Sequence, residues 1–164
     1  MSHTTSTQGF INRLKKGISK RQFNILIVED DKKVAEIFAD VLRTRGHFVT
    51  VTNKAATCIN ECQSCSYDII FMDFHLDDMN GVDTVDLLKT ICMVKSLIFA
   101  FTGDDSKEAL MLFESIGMDG AIIKPLDIDL INKFMNSLET RNDLDKRAIS
   151  IIRDFKTKKQ LFIF

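Results

Sequence analysis

Four short apolar runs in this 164-residue chain each end on a polar group suited to phosphoryl chemistry. Ile25–Val28 runs into Glu29 and Asp30, Ile69–Met72 into Asp73, Leu97–Phe101 into Thr102, and Ala121–Ile123 into Lys124. If the four runs are parallel strands of one sheet, three carboxylates, a hydroxyl and an ammonium meet at its carboxyl edge, where open α/β folds hold their ligands. Three neighbouring carboxylates repel one another, and a hard cation with oxygen ligands is the simplest relief. Mg²⁺ suits the site because it binds through one or two carboxylates, keeps several waters and leaves room for phosphate oxygens; Mn²⁺ is a possible substitute. Lys124 offers a compact positive charge, and Thr102 a hydroxyl that can donate to a phosphoryl oxygen. A carboxylate can itself be the nucleophile, forming an aspartyl phosphate. Phosphoryl transfer depends on positioning and on neutralising the equatorial oxygens, so a metal, a lysine and a threonine around one aspartate suffice without a general base.

The segments that carry these groups are ILIVEDD at Ile25–Asp31, YDIIFMDFHLDDMNG at Tyr67–Gly81, LIFAFTG at Leu97–Gly103 and GMDGAIIKP at Gly117–Pro125. Asp30 and Asp73 are 43 residues apart, Asp73 and Thr102 are 29 apart, and Thr102 and Lys124 are 22 apart. One such segment is weak evidence; four in this order and at this spacing are specific. Over about Phe23 to Glu139 the chain resembles the response-regulator receiver domain of two-component and phosphorelay signalling.

The resemblance implies that Asp73 accepts the phosphoryl group. It implies that Asp30 and Asp73 bind Mg²⁺ through carboxylates, with Glu29 acting through water and the backbone carbonyl of His75 completing the protein ligands. Thr102 and Lys124 would close on the phosphoryl group, and Pro125 would follow a cis peptide bond, which X-Pro linkages alone adopt cheaply. The resemblance also implies that His75 and Asp104 are candidates to tune the lifetime of the phosphoryl group, and His75 has the alternative reading of an exposed loop imidazole. Asp31 is expected to initiate the first helix, and His47 to be a solvated turn residue.

Two departures bear on output. Ala121 stands where many receivers carry a Tyr or Phe that reports activation, and Asp77 where a proline is common.

The elements that must position these groups alternate between strand and helix, the signature of a parallel α/β sheet. Strands are expected at Asn24–Val28, Phe48–Val51, Tyr67–Met72, Ser96–Phe101 and Ala121–Lys124. The helices between and after them are Lys32–Arg45 ended by Gly46, one capped by Asn53 and running to about Cys62, Val82–Ile91, Ser106–Ile116 and Asp127–Leu138. The apolar run of the third strand predicts burial on both faces. The resemblance implies a flavodoxin-like, doubly wound, five-stranded sheet in the order 2-1-3-4-5 with five helices; alternation alone does not supply that order.

With 45% hydrophobic residues the chain supports one domain and short extensions. The expected division is a basic polar leader over 1–22, weakly ordered, a receiver over 23–140, and an extension over 141–164 with a helix at Asp143–Lys158. Charge is uneven: Asn24–Thr140 holds 10 Lys/Arg against 20 Asp/Glu, Met1–Phe23 holds 5 against 0, and Arg141–Phe164 holds 7 against 3. The extension is too short for a winged-helix or helix-turn-helix output domain, which argues against direct sequence-specific DNA binding. Its apolar end, Leu161–Phe164, is expected either to self-associate into a homodimer or to pack back on the core. Leu97–Phe101 is too short to cross a bilayer and the first residues are polar, so a cytoplasmic protein is expected. Cys58, Cys62, Cys65 and Cys92 do not form the framework of a small secreted domain, and they are expected to be free or structural thiols.

The expected function is that of a phosphoacceptor, not a conventional enzyme, charged by a sensor histidine kinase or a histidine-phosphotransfer protein and read by a downstream protein. A receiver-like binding module acting without phosphorylation is the alternative. An aspartyl-phosphate phosphatase of the haloacid dehalogenase type is the third reading. It needs a second aspartate two residues after the nucleophile, where this chain has His75.

Overall fold

The structure, a computed structural model, describes residues 20–140 and 160–164. The expected leader before Lys20 and the expected helix over Asp143–Lys158 fall outside the described residues. In chain order the elements are β1 (Asn24–Val28), α1 (Lys32–Thr44), β2 (Phe48–Thr52), α2 (Ala55–Ser64), β3 (Ile69–Met72), α3 (Gly81–Thr90), β4 (Leu97–Thr102), α4 (Lys107–Ser115), β5 (Gly120–Ile123), α5 (Ile128–Glu139) and β6 (Leu161–Ile163).

The sheet order is β2-β1-β3-β4-β5-β6; the first five strands are parallel, and β6 is antiparallel to β5. The expected five-stranded sheet is thus present and extended at its open edge. Of the two outcomes expected for Leu161–Phe164, packing back on the core is the one observed. Its alternation suits an edge strand: Leu161 and Ile163 lie against one face of the sheet, Phe162 and Phe164 against the other.

The same alternation divides the core. Ile25, Ile27, Phe71, Phe99, Phe101 and Ile122 pack beneath α1 and α5 through Phe38, Leu42, Ile131 and Phe134. Leu26, Ile70, Met72, Ile98 and Ala100 point the other way, toward Cys58 of α2, Val85 and Leu88 of α3 and Phe113 of α4. All residues of β3, β4 and β5 are buried, as parallel strands covered on both faces require.

Helix ends show what local sequence can and cannot announce. Asp31 caps α1, accepting from Lys33 N and Val34 N, and Asp127 caps α5, accepting from Leu130 N. At the other end of α1, Gly46 takes φ +93° and donates to Arg43 O at 2.8 Å, while His47 N donates to Leu42 O at 3.3 Å, a Schellman closure.

The expected Asn53 cap of α2 is corrected. Lys54 occupies the cap without a side-chain bond, and Asp78, from the loop after β3, accepts from Ala55 N and Ala56 N at 3.0 Å each. His47 is also corrected: it is only 5% exposed. No helix among the described residues is long and apolar enough to cross a membrane.

Candidate functional site

Parallel pairing brings the four strand ends to one edge. Val28 and Met72 are register partners on β1 and β3, and Met72 pairs with Ala100 and Thr102 with Ile123 across the next two seams. Glu29, Asp30, Asp73, Thr102 and Lys124 therefore meet, because each follows or ends a strand that pairs in register with its neighbour. Asp73 N donates to Val28 O at 2.8 Å and Lys124 N to Thr102 O at 2.7 Å, so Asp73 and Lys124 are also fixed through the backbone.

The Lys124 ammonium lies 2.8 Å from Asp73 Oδ2 and 2.6 Å from Glu29 Oε2, and 4.9 Å from the centre of the Phe101 ring. His75 N donates to Asp73 Oδ1 at 2.9 Å, so both oxygens of the Asp73 carboxylate are engaged. Glu29, Asp73 and Thr102 are buried while Asp30 is exposed, which gives the edge an inner wall and an open lip. Burial pushes the Glu29 carboxyl up to about 7; Lys124 pulls against it, and the Asp73 charge adds to it. Burial disfavours the Lys124 ammonium, but bonding to Asp73 and Glu29 outweighs that and leaves its pKa above the ordinary range.

The donor set fits a hard divalent cation. Glu29, Asp30 and Asp73 each offer a carboxylate oxygen, all within 4.8 Å of one another. Glu29 Oε2 is buried, and the Lys124 ammonium at 2.6 Å is its one partner among the described residues. The cysteines are placed differently: all four are free, with Cys58 buried in the core, Cys62 and Cys92 half-buried and Cys65 exposed.

The two candidate tuning residues share one place. His75 and Asp104 line an open hollow with Phe74, Ser106, Ala109 and Phe113. Asp104 N donates to Thr102 Oγ1 at 3.2 Å, and its carboxylate accepts from Ser106 N at 2.9 Å, a bond that holds its pKa below the ordinary range. The peptide bond between Lys124 and Pro125 is cis.

Ala121 is fully buried and stands opposite Phe162 of β6. That neighbour was not legible in the sequence, since nothing local in Leu161–Phe164 specifies the strand it joins. Phe101 beneath the ammonium was also missed as a site residue. Its signal was its place one residue before Thr102, which the apolar run disguised as core.

The family model for the response regulator receiver domain matches residues 25–136. The chain belongs to the response-regulator receiver family. The receiver is 29% identical over 118 residues to the CAI-1 autoinducer sensor kinase/phosphatase CqsS of Vibrio cholerae, covering 70% of this chain and 17% of that protein. It is 25% identical over 153 residues to the transcription factor SKN7 of Saccharomyces cerevisiae, covering 93% of this chain and 22% of that protein. The receiver thus spans about a fifth of the length of these relatives. Among solved structures, a two-component response regulator from Clostridium difficile superposes with a TM-score of 0.69 at 22% identity, over 74% of this chain and all of that one. A CheY-like receiver domain from Methylobacillus flagellatus superposes with a TM-score of 0.61 at 27% identity, over 73% of this chain and 100% of that one.

Proposed function

We propose that this receiver takes a phosphoryl group on Asp73 from a phosphohistidine, carried by a sensor histidine kinase or a histidine-phosphotransfer protein. It then passes the signal to a downstream protein by altered contacts or onward transfer. The observation that carries this reading is the Asp73 carboxylate held between the Lys124 ammonium at 2.8 Å and the His75 amide at 2.9 Å, among three carboxylates at one sheet edge. Kinship to sensor kinases favours a histidine donor.

In the transfer an Asp73 oxygen attacks phosphorus, the bond from phosphorus to the donor imidazole nitrogen breaks, and an acyl phosphate forms. Lys124 keeps its proton, because its neighbours raise its pKa, and serves as counter-charge to a phosphoryl oxygen. Thr102, buried at the end of β4, can donate its hydroxyl to a second oxygen. Mg²⁺, when bound, neutralises charge on the phosphoryl oxygens; Asp30 and Asp73 would hold it, with Glu29 through water and the His75 carbonyl. The chain on this reading hydrolyses only its own acyl phosphate, is no enzyme toward external substrates, and works in the cytoplasm, where its donors present phosphohistidine.

Intact-mass measurement with acetyl phosphate and Mg²⁺ tests the proposal. One phosphoryl adduct is expected on the parent, and none on Asp73→Asn or with the metal chelated. An unmodified parent under saturating donor would sink it.

A further inference from the structure

The short strand β6 reaches the lysine from behind. Ile123 N, just before Lys124, donates to Gln160 O at 2.7 Å, and Gln160 Nε2 lies 3.5 Å from Pro125 O, just after it. Across β5 the Lys124 amide donates to Thr102 O at 2.7 Å. The backbone around Lys124 is therefore held from β4 on one side and from Gln160 on the other, while its side chain spans to Asp73 and Glu29.

The fit is specific. At the far end Phe164 N donates to Asp119 O at 3.2 Å, and between the two ends Gly120, Ala121 and Ile122 pair with Ile163, Phe162 and Leu161. Gly120 makes the approach possible: a Cβ there would stand 2.3 Å from the Phe162 carbonyl oxygen and 2.9 Å from the Phe99 ring. The four apolar residues of the segment are half-buried, two on each face of the sheet.

We propose that Gln160–Phe164 is a positioning element for Lys124, so that docking of this segment sets the reach of the ammonium to Asp73 and modification of Asp73 resets the docking. The idea rests on the phosphoacceptor reading. A phosphoryl group adds bulk and charge beyond the carboxylate that Lys124 now touches. The ammonium has to follow it outward, and the displaced backbone draws on the Ile123–Gln160 bond. A coupling of this kind is reciprocal, so loosening the strand has to alter the lysine as well.

Amide hydrogen exchange on the full chain, read beside acetyl-phosphate labelling, tests the inference. Lys124→Ala is expected to speed exchange at Ile123 and Phe164 by about five-fold or more, and Mg²⁺ with beryllofluoride to shift the same amides in the parent. Gly120→Val and Phe162→Asp, which displace β6 by collision and by a charge at a half-buried position, are each expected to slow labelling by about five-fold or more at fixed Mg²⁺. Two variants guard against one that does not fold. Unchanged exchange in Lys124→Ala, or parental labelling rates in a folded variant whose β6 amides have lost protection, would overturn the coupling. A parent that takes no phosphoryl group defeats the functional reading instead, and the Lys124→Ala exchange still decides the inference.

Discussion

Glu29 is the residue from which a pH dependence of the site is expected. It is 1% exposed, and its carboxyl is raised from an ordinary 4.5 to about 7 by burial, against the pull of Lys124. Glu29 thus binds a proton more tightly in the folded protein than in the unfolded chain, and its contribution to the stability of the metal-free protein is lost as pH rises from about 4.5 to about 7. A cation favours the ionised carboxylate, so Mg²⁺ binding has to release a proton. Titration calorimetry is expected to show Mg²⁺ affinity climbing between about pH 6 and about pH 8, with proton release that disappears in Glu29→Gln. Affinity independent of pH in the parent would contradict the assignment. Asp30, on the exposed lip, and Asp73, bonded to Lys124 and His75, complete the cluster around it.

Elements are tied together at their ends as much as along their faces. Asp78 leaves the loop after β3, which begins with Asp73, to cap α2 through two backbone bonds of 3.0 Å, and those bonds draw its pKa below the ordinary range against the opposing effect of burial. Asp78→Ala is expected to cost about 1 kcal/mol, the usual value of an N-cap, seen as a lower midpoint in urea unfolding with an unchanged slope. Restoring a cap locally with Lys54→Ser in that background should recover part of the loss. No recovery would place the role of Asp78 in the loop instead of the helix. At the opposite edge of the sheet, β5 ends its partnership with β4 beside a strand 37 residues further along the chain, counted from Ile123 to Gln160. Its small residues, Gly120 and Ala121, are matched to that strand's carbonyl and ring.

At the scale of the whole molecule, buried charged groups among the described residues lie at both ends of the sheet. Opposite the sheet edge that carries Asp73, the Glu139 carboxylate is fully buried, 2.7 Å from Arg45 Nη2 and 3.1 Å from His47 Nε2, with Lys20 at 3.3 Å. Phe23 N donates to His47 Nδ1 at 3.3 Å, which leaves the proton on Nε2 facing Glu139. The cluster joins the start of β1, the turn after α1 and the end of α5. Glu139→Ala leaves buried donors without their acceptor and is expected to cost about 3–5 kcal/mol in urea unfolding, with labelling of Asp73 retained under folding conditions. A loss below about 1 kcal/mol would mean that solvent replaces the carboxylate. Burial lowers the His47 pKa from 6.5 despite Glu139, so His47 binds protons more tightly in the unfolded chain. Its contribution to stability is present above about 6.5 and lost as pH falls below that value, opposite in sign to that of Glu29.

Strand and helix alternation, the polar residue at the end of each strand, and the caps at Asp31 and Asp127 could all be read from the order of residues. These are local matters of side-chain period, burial and one-turn hydrogen bonding. Their family motifs also placed Glu29, Asp30, Asp73, Thr102 and Lys124 at one edge, because parallel in-register strands deliver their ends together. The folded chain alone reveals that Asp78 displaces Asn53 as the cap of α2, that His47 is buried against Glu139, and that Leu161–Ile163 forms a sixth strand opposite Ala121. Each of these joins residues far apart in the chain, and a short polar or apolar segment carries no record of its partner. The energy that selects the partner lies in burial and in hydrogen bonds that exist only after the chain has closed on itself.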